Sequence, residues 1–499
     1  MADPKSAIVV VGVAILRPIG PVTRRRFLQT AAGVSGLAAS APPTVDAAPA
    51  ARGATFGKAK SVVVLYLYGA PSQMDTLDPK PDAPTERRGE FGSISSRLPG
   101  VRVCEHLPRI AGVLDRVCLV RSMSHTSNNH AVSVALSGLS RSQPAVEANR
   151  ADAQHWPYFG SVLEYLWRHE RDTADGRLTA NVILPWPLNA RTDPNRWSPH
   201  AAWLGPKYNP VYPLFRGEGS REVGNPTANG PTPLRGRFDP YDGLTPTSTF
   251  AFDGSELPAD VSAVRFADRQ QLLAEIGGGV EADRPRQFAR HQRWAVRLIA
   301  DPRLARAVDV TREPARVRDR YGLTLFGMEA LAARRLIEAG ARVVTAFWDD
   351  FAYANNAWDT HYNHFPRLKE GLCPILDQVL PVFLDDMNQR GLLDDTLVMV
   401  ISEHGRTPAI AAVSGGGRDH WARAYWGVFF GAGIRTGQVV GATDRQGAFP
   451  TTRPIDPKDV LATMYHLLGI DAEHTMIPDR TGRPIHLLPH GSVVLELLA

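Results

Sequence analysis

Ser61 to Tyr68 reads SVVVLYLY, an unbroken run of β-branched, aliphatic and aromatic residues. A run of this length and composition predicts a β-strand that is buried on both faces, as in parallel sheets covered by helices. Gly69 ends the run, and the polar loop Gly69 to Pro81 follows it. Because open α/β sheets bind ligands beyond the carboxyl ends of their strands, we expect a functional site at this end of the strand.

The same succession of strand, polar loop and helix returns along the chain. Val117 to Arg121 predicts a second strand, followed by the polar loop Ser122 to His130 and a helix from about Ala131 to Leu136. Three more strands are predicted at Ala341–Phe347, Leu397–Ser402 and Val428–Phe430, and two long helices at Leu368–Gln389 and Asp456–Leu468. This alternation predicts an α/β fold: a doubly wound, mostly parallel sheet with helices on both faces.

The middle of the chain, roughly residues 150–315, is rich in Pro, Gly, Trp and Asn and predicts a loop-rich insert. Within and beyond it, residues 260–340 are predicted to be mainly helical. Long loops in a compact domain are often lids or binding segments, so we expect the insert to border the site.

The N-terminus predicts an export signal. Thr23 to Gln29 reads TRRRFLQ, which is typical of the twin-arginine signal, and the small apolar run from Ala31 to Ala41 follows it. That run is much shorter than the roughly 20 apolar residues of a membrane-spanning helix. The alternative is a chance arginine triplet in front of a buried helix.

These features predict three segments: a signal peptide at residues 1–41, a disordered linker at 42–58 and a folded domain at 59–499. The expected location is therefore periplasmic or extracellular, with the twin-arginine export machinery as a partner and no transmembrane span after signal cleavage.

Charge and cysteine content narrow the classes of function. The net charge is +5, carried mainly by Arg, and no Lys/Arg run resembles a nucleic-acid-binding stripe, so no nucleic-acid partner is predicted. Arginine binds sulfate, phosphate and carboxylate groups with two parallel hydrogen bonds, which favours an anionic ligand. The three cysteines are too few and too scattered for a disulfide framework, and buried thiols are expected.

Four polar clusters follow the predicted strands and contain the candidate functional residues. They are Thr126, Asn128, Asn129 and His130; Asp359, His361, Asn363 and His364; Glu403 and His404; and Arg418, Asp419, His420 and Trp421. Carboxylate and imidazole groups gathered at strand ends can bind a divalent cation such as Zn, Ca or Mg. Any one cluster alone is more often a hydrogen-bonded structural corner than a metal site.

Two of these stretches resemble known enzymes. Phe383 to Gly405 (FLDDMNQRGLLDDTLVMVISEHG) is similar to the sulfatase and phosphodiesterase pattern, and Thr126 to Gly138 (TSNNHAVSVALSG) is similar to the nucleophile segment of nucleotide phosphodiesterases. The resemblance implies a catalytic pair, with Thr126 as nucleophile and Asn129 helping to hold the oxyanion. It also implies metal ligands among Asp75, Asp359, His361, His364, Glu403, His404, Asp419 and His420, and anion contacts at Arg406 and Arg418.

A closer resemblance covers nearly all of the mature chain. GAPSQMDTLDPKPDAP from Gly69, WDTHYNHF from Trp358, RGLLDDTLVMVISEHGRTP from Arg390 and GRDHW from Gly417 are similar to the domain of unknown function 1501 family. We identify that family as an exported, sulfatase-like branch of the alkaline phosphatase superfamily, which implies an alkaline-phosphatase-like fold.

Departures from the catalytic pattern leave two functions open. The first strand ends in Gly69, Ala70 and Pro71, where active relatives place a metal-binding Asp, and Glu403 stands in place of an Asp. The chain lacks the Cys-x-Pro-x-Arg motif of true sulfatases. One function is a metal-dependent hydrolase of phosphate or sulfate esters, and the other is a catalytically silent protein that binds an anionic glycan or cell-envelope ligand in the same cleft.

Overall fold

The computed structural model describes residues 53–139, 141, 143, 147–149, 152, 154–167, 178–191, 196–225, 227–230, 232–252, 265, 268, 271–272, 302–351 and 357–499. The predicted signal peptide and residues 42–52 of the predicted linker lie outside these described residues. Residues 53–58, the end of that linker, form turns against the end of the helix Pro457–Leu467, where Gly57 N donates to His466 O over 3.1 Å. Among the described residues, none of the helices has both the length and the hydropathy needed to span a bilayer.

One sheet of seven strands forms the centre of the described chain. Its strands are β1 (Ser61–Leu67), β2 (Cys118–Met123), β3 (Leu178–Leu184), β4 (Ala341–Trp348), β5 (Thr396–Ile401), β6 (Tyr425–Gly431) and β7 (Gln438–Val440). Their order across the sheet is β7-β2-β6-β5-β1-β4-β3, and every neighbouring pair is parallel except the two that β6 makes with β5 and β2. The predicted α/β class with a mostly parallel sheet is therefore confirmed.

Strand β1 lies between β5 and β4, and all seven of its residues are buried. Val62 pairs with Val343 on one side and with Leu397 on the other. A strand in this position can expose neither face to water, which explains why its sequence is continuously apolar instead of alternating.

Helices and short hairpins surround the sheet. The helices span Thr85–Arg88, Pro108–Ala111, Val132–Ser137, Phe159–Leu166, Pro302–Val308, Ala315–Tyr321, Leu325–Glu338, His364–Arg367, Cys373–Gln389 and Pro457–Leu467. Two-stranded sheets pair Ser93–Ser95 with Arg102–Cys104, Leu214–Arg216 with Thr249–Ala251, Gly219–Asn225 with Thr232–Leu244, Gly405–Arg406 with His420–Trp421, Ala442–Thr443 with Pro450–Thr452, and Met476–Pro478 with Pro484–His486. Cys104, Cys118 and Cys373 are buried free thiols, as expected.

The structure differs from the sequence prediction in three places. The predicted insert supplies β3, an edge strand of the central sheet. Most of the residues 260–301, which were predicted to be helical, lie outside the described residues. Strand β6 begins at Tyr425, ahead of the predicted Val428, and runs antiparallel. The predicted helix Leu368–Gln389 begins as a π-helix, Leu368–Leu372, because Pro374 has no N–H to donate to the carbonyl of Glu370 four residues earlier.

The helix Pro457–Leu467 has an N-terminal cap formed by side chains. The carboxylate of Asp456 accepts a hydrogen bond from Lys458 N over 2.9 Å, and the carboxylate of Asp459 accepts one from Asp456 N over 3.2 Å. This reciprocal capping box satisfies backbone donors that have no partner within the helix.

We predict that Asp456→Ala lowers the free energy of unfolding by about 1 kcal/mol, because the first turn of the helix loses its acceptor. Urea denaturation followed by circular dichroism measures the change. Asp456→Asn is the matched control, since an amide oxygen still caps the helix and should retain most of the stability. Equal stability of the Ala and Asn variants would contradict this account of the cap.

Candidate metal centre

The polar loops meet at one edge of the central sheet. Strands β1, β2, β4 and β5 run in the same direction, so the loops after them leave from the same edge. Strand β6 runs the opposite way, which brings the segment before it, including His420, to that edge as well. The topology therefore gathers residues that lie up to about three hundred positions apart in the sequence.

Three ligand atoms form a nearly equilateral triangle. Asp359 Oδ1 lies 3.0 Å from His361 Nε2 and 3.2 Å from His420 Nε2, and the two imidazole nitrogens are 3.1 Å apart. Ligands at about 2.0–2.1 Å from a tetrahedral metal ion are separated from one another by about 3.3 Å. The triangle thus has nearly the dimensions of one face of a tetrahedral metal site.

Two histidine rings make hydrogen bonds through Nδ1, the nitrogen that is not the candidate ligand, and such bonds favour metal binding at Nε2. His361 Nδ1 lies 2.8 Å from the Asp419 carboxylate, and His404 Nδ1 lies 2.8 Å from the carbonyl oxygen of Gly405. An imidazole that donates its Nδ1–H to such an acceptor keeps the Nε2 lone pair free, which is the usual arrangement behind metal-bound histidines. In the described structure, His404 Nε2 is buried and has no hydrogen-bond partner.

His130 connects the site to a further carboxylate. Its Nε2 lies 3.1 Å from Asp359 Oδ2 and its Nδ1 3.1 Å from Glu403 Oε1, which also accepts the N–H of Gly69 over 2.7 Å. A ring that faces two carboxylates must be protonated on both nitrogens to donate to both. Glu403 therefore contacts His130 and the backbone, and not the triangle of ligand atoms.

A second group of ligand atoms overlaps the first. One ring nitrogen from each of His130, His404 and His420 lies within 4.8 Å of the others, as do the ligand atoms of Asp359, His361 and His420. His130 could ligate a cation only after losing one of its two ring protons. Because His420 belongs to both groups, they form one centre around it. The structure thus contains His/Asp groups close enough to bind a metal ion, in agreement with the predicted divalent cation.

Burial and neighbouring charges oppose each other in setting the pKa values of the centre. Burial alone would lower the pKa of His130, but Asp359 and Glu403 outweigh it and raise the pKa to about 9. Burial lowers the pKa of both His404 and His420, and positively charged neighbours add to the effect. The pKa of His361 is raised, chiefly by its hydrogen bond to Asp359.

Arg406 balances the charge of Asp359. Its guanidinium group is fully buried, makes an ion pair with Asp359 Oδ1 and donates to the carbonyl oxygens of Gly69, Ala70 and Arg418. Burial would raise the pKa of Asp359, but Arg406 and His130 together hold it well below the ordinary value. Arg406, which was predicted to contact an anionic ligand, thus binds the carboxylate of Asp359.

Three other predicted site residues form a separate buried ion-pair network. Asp75 Oδ2 lies 2.9 Å from His364 Nε2 and 2.6 Å from Arg418 Nε, and all three side chains are fully buried. His364 Nδ1 lies 2.6 Å from the hydroxyl of Thr360. Asp75 and His364, which were predicted as metal ligands, therefore contact Arg418, which was predicted as an anion contact. Neither Asp75 nor His364 belongs to a group of candidate ligand atoms.

This buried network fixes the backbone next to the candidate ligands. Thr360 and His364 stand on either side of His361 in the sequence, and Arg418 lies two residues before His420. Arg418 N donates to Thr360 O over 3.2 Å, which ties the two ligand-bearing segments together. The network therefore joins the segment that carries His361 to the segment that carries His420.

The predicted nucleophile lies on the loop after β2. Thr126 is exposed, and its neighbours hold the loop, since His125 N donates to Ala422 O and Asn128 Oδ1 accepts from Ala422 N, both over 2.8 Å. Ala422 is two residues after His420, so the loop is attached to the ligand-bearing segment. Asn129, the predicted oxyanion contact, is half-buried on the same loop.

Sequence reasoning did not select His130 as a ligand or catalytic residue. It is the last residue of the polar loop Ser122 to His130, which follows β2 just as the loop with Asp359 and His361 follows β4. Its ring stacks on Tyr68, with ring centroids 5.2 Å apart, directly after β1. The position of a polar residue at the end of a loop that follows a strand could thus have indicated His130.

Comparison with known proteins agrees with the sequence resemblance at the level of the family. Residues 59–498 match the family described as Protein of unknown function (DUF1501). The chain belongs to this family. No curated protein sequence matches that of this DUF1501 protein. Among solved proteins, the one described as "Crystal structure of Ps i-CgsB" has a TM-score of 0.37 and 9% identity, over 83% of this chain and 72% of that chain.

We predict that the stability of the metal-free DUF1501 protein falls as the pH rises through 9. The pKa of His130 is about 9 in the folded chain and 6.5 when unperturbed, so its protonation stabilises the fold fully below pH 6.5 and no longer above 9. The loss amounts to about 3 kcal/mol. Urea denaturation across this pH range in a chelator measures it, and His130→Gln should flatten the profile. An unchanged profile in that variant would contradict the assignment.

We predict that Gly69→Ala weakens metal binding by at least about tenfold, or about 1.4 kcal/mol. An added Cβ would lie 2.3 Å from Asp359 N, so the segment that carries Asp359 must move. Gly100→Ala is the matched control, because Gly100 has a similar positive φ of 76° but nothing within 4 Å of the added carbon. Competition with a metal-binding dye measures both affinities, and equal losses would show that backbone strain alone is responsible.

Proposed function

We propose that this DUF1501 protein is an exported, metal-dependent hydrolase of phosphate or sulfate esters with an alkaline-phosphatase-like fold. The observation that supports it most is the triangle of Asp359 Oδ1, His361 Nε2 and His420 Nε2, with ligand-to-ligand distances of 3.0–3.2 Å. Such a triangle of a carboxylate and two imidazoles places three atoms that can ligate a metal at nearly the spacing of one face of a tetrahedral site.

The composition of the centre favours zinc over the other predicted cations. Imidazole nitrogens outnumber carboxylate oxygens among the candidate ligands, and His404, whose Nε2 has no partner in the described structure, belongs with His420 to the second group of ligand atoms. Calcium and magnesium prefer six or more oxygen ligands, whereas zinc takes four ligands that are often histidines. We therefore propose a single zinc ion bound by Asp359, His361, His420 and His404.

In this proposal, different residues of the chain have different roles in the reaction. A cation held by Asp359, His361, His420 and His404 would act as a Lewis acid, which would polarise the ester oxygen and lower the pKa of a hydroxyl group. The Thr126 hydroxyl attacks the phosphorus or sulfur atom, the alcohol leaves with a proton, and water then releases the acid from Thr126. The Asn129 amide donates to the oxygen on which negative charge develops, and Arg406 keeps Asp359 ionised and in place.

Export through the twin-arginine machinery is part of the proposal. The TRRRFLQ segment from Thr23 to Gln29 supports a periplasmic or extracellular location, and folding before export would allow the metal to be inserted first.

A second candidate function is a catalytically silent protein that binds an anionic glycan or cell-envelope ligand. The backbone at the end of β1 favours it, because the N–H of Gly69 binds Glu403 and its carbonyl oxygen binds Arg406. Active relatives have a ligand carboxylate at this position. This chain has the peptide group of Gly69 there, and its N–H and carbonyl oxygen are both hydrogen-bonded within the protein.

We predict that the protein purified without chelator contains about one zinc ion per chain, and that His420→Ala loses it. His420 belongs to both groups of ligand atoms, so its removal leaves neither complete. His474→Ala is the matched control, because His474 is exposed, pairs with Asp471 and belongs to neither group of ligand atoms. Elemental analysis measures the metal. A metal-free native protein that binds no added zinc would exclude the hydrolase.

We predict that Thr126→Ala lowers the rate of hydrolysis of aryl phosphate or aryl sulfate esters by at least about 10³-fold with no loss of bound metal, as expected for a nucleophile. Thr126→Ser retains the hydroxyl group and should retain most of the rate. Absorbance of the released phenol measures turnover. Full activity of the Ala variant would show that another group attacks, and a metal-loaded protein without turnover on any ester would favour the silent binding protein.

A further inference from the structure

Positive charge is concentrated in the segment Pro302–Tyr321. The segment contains six arginines and three acidic residues, so its net charge is +3, whereas the net charge of all 499 residues is +5. It forms the helix Pro302–Val308, a 3₁₀ turn at Val310–Arg312 and the helix Ala315–Tyr321. A surface with such an excess of one charge attracts ligands of the opposite charge.

Four arginines of this segment are exposed, and their side chains make no hydrogen bond or ion pair within the described part of the chain. They are Arg306, Arg312, Arg316 and Arg320, which we call the arginine surface. Arg316 and Arg320 are four residues apart in one helix, so they share a face and are separated by about 6 Å along the helix axis.

The acidic residues of the segment do not neutralise the arginine surface. The carboxylate of Asp309 accepts a backbone N–H and caps the 3₁₀ turn. Glu313 pairs with Arg334 and Arg335 over 2.9 and 2.5 Å. Asp319 is the third acidic residue and is exposed. One exposed carboxylate therefore accompanies four exposed guanidinium groups.

The two helices of the segment are joined through Arg335. Its guanidinium group donates to two carbonyl oxygens in the helix Pro302–Val308, both over 2.8 Å, and pairs with Glu313, which lies just before the second helix. Arg335 is near the end of the helix Leu325–Glu338, which leads into the beginning of β4, whereas Asp359 follows the end of β4. This junction of the two helices is therefore near the edge of the sheet opposite to the candidate metal centre.

The arginine surface suits a ligand with many negative charges. One exposed ion pair contributes little to affinity, so several must form together on the same ligand. The large aliphatic side chains of the segment are not exposed, which leaves no anchor for a bilayer: Leu304, Val308 and Val310 are buried and Val317 is half-buried. Its one aromatic residue, Tyr321, is buried and cannot stack on a nucleobase.

We propose that the arginine surface binds an acidic polysaccharide, a chain of sugars that carries carboxylate or sulfate groups. The guanidinium group binds both of these anions with two parallel hydrogen bonds. An extended polymer can contact arginines on both helices at once, which a single small anion cannot do. The proposal goes beyond the hydrolase and does not depend on it, because the arginine surface contributes no candidate metal ligand.

The test is calorimetric titration of the metal-free protein, in a chelator, with dextran sulfate, alginate and uncharged dextran. We expect at least one of the two acidic polymers to bind, with an affinity that falls as salt is added, and dextran not to bind. Arg316→Gln combined with Arg320→Gln should weaken binding at least about tenfold, because two of the four contacts are lost.

The matched control is Arg445→Gln combined with Arg480→Gln. Both arginines are exposed and lie outside the segment, and the change in net charge is the same, so the affinity should stay close to that of the unmodified protein. If the first double variant fails to fold, Arg306→Gln combined with Arg312→Gln replaces it, with the same expected loss.

Three results would overturn the proposal. The first is that neither acidic polymer binds, and the second is that the control variant loses as much affinity as the variants of the arginine surface. The third is tighter binding, at equal concentration of charge, to phosphatidylglycerol vesicles or to a short DNA duplex, which would identify a membrane or a nucleic acid as the partner. Because the protein is metal-free throughout, these results are independent of whether it hydrolyses esters.

Discussion

The carboxylate of Asp359 is the group on which the arrangement of the centre depends. It binds Arg406 from the segment after β5, His420 from the segment before β6 and His130 from the loop after β2. A carboxylate that is 12% exposed must be compensated by charge and hydrogen bonds, or it would take up a proton. Its partners come from three separate segments, so the requirement to compensate one charge also determines how those segments pack.

The peptide group of Gly69 connects two charged side chains of the centre. Its N–H holds Glu403 and its carbonyl oxygen holds Arg406, so the backbone positions both an anion and a cation of the centre. This requires close approach to Asp359, whose backbone nitrogen would lie 2.3 Å from any added Cβ, and a φ of 87°. Both conditions exclude larger residues. The contacts with Glu403 and Arg406 therefore depend on a Gly at this position.

Much of the sheet could be predicted from the sequence, because strands such as β1 and β5 are continuously apolar and the loops after them are polar. Strand β3 could not, since LTANVIL includes Thr179 and Asn181 within a segment rich in loop residues. The loops that contribute to the centre were also predictable. The partner of each side chain was not, because His361 and His364 are three residues apart, and only packing decides that one faces His420 and the other Asp75.

The two buried groups of ion pairs have different consequences for a bound metal. Asp75, His364 and Arg418 are fully buried and satisfy one another, so breaking this network would leave an uncompensated charge at a cost of about 3–5 kcal/mol. The network is therefore a rigid support. The centre itself is 12–29% exposed at Asp359, His420 and His361, where protons and a cation compete for the same lone pairs. The hydrogen bond to Asp359 raises the pKa of His361 in the metal-free protein, so a cation would have to replace a stabilised proton at this ligand, whereas the support beneath it contributes none of the candidate ligand atoms.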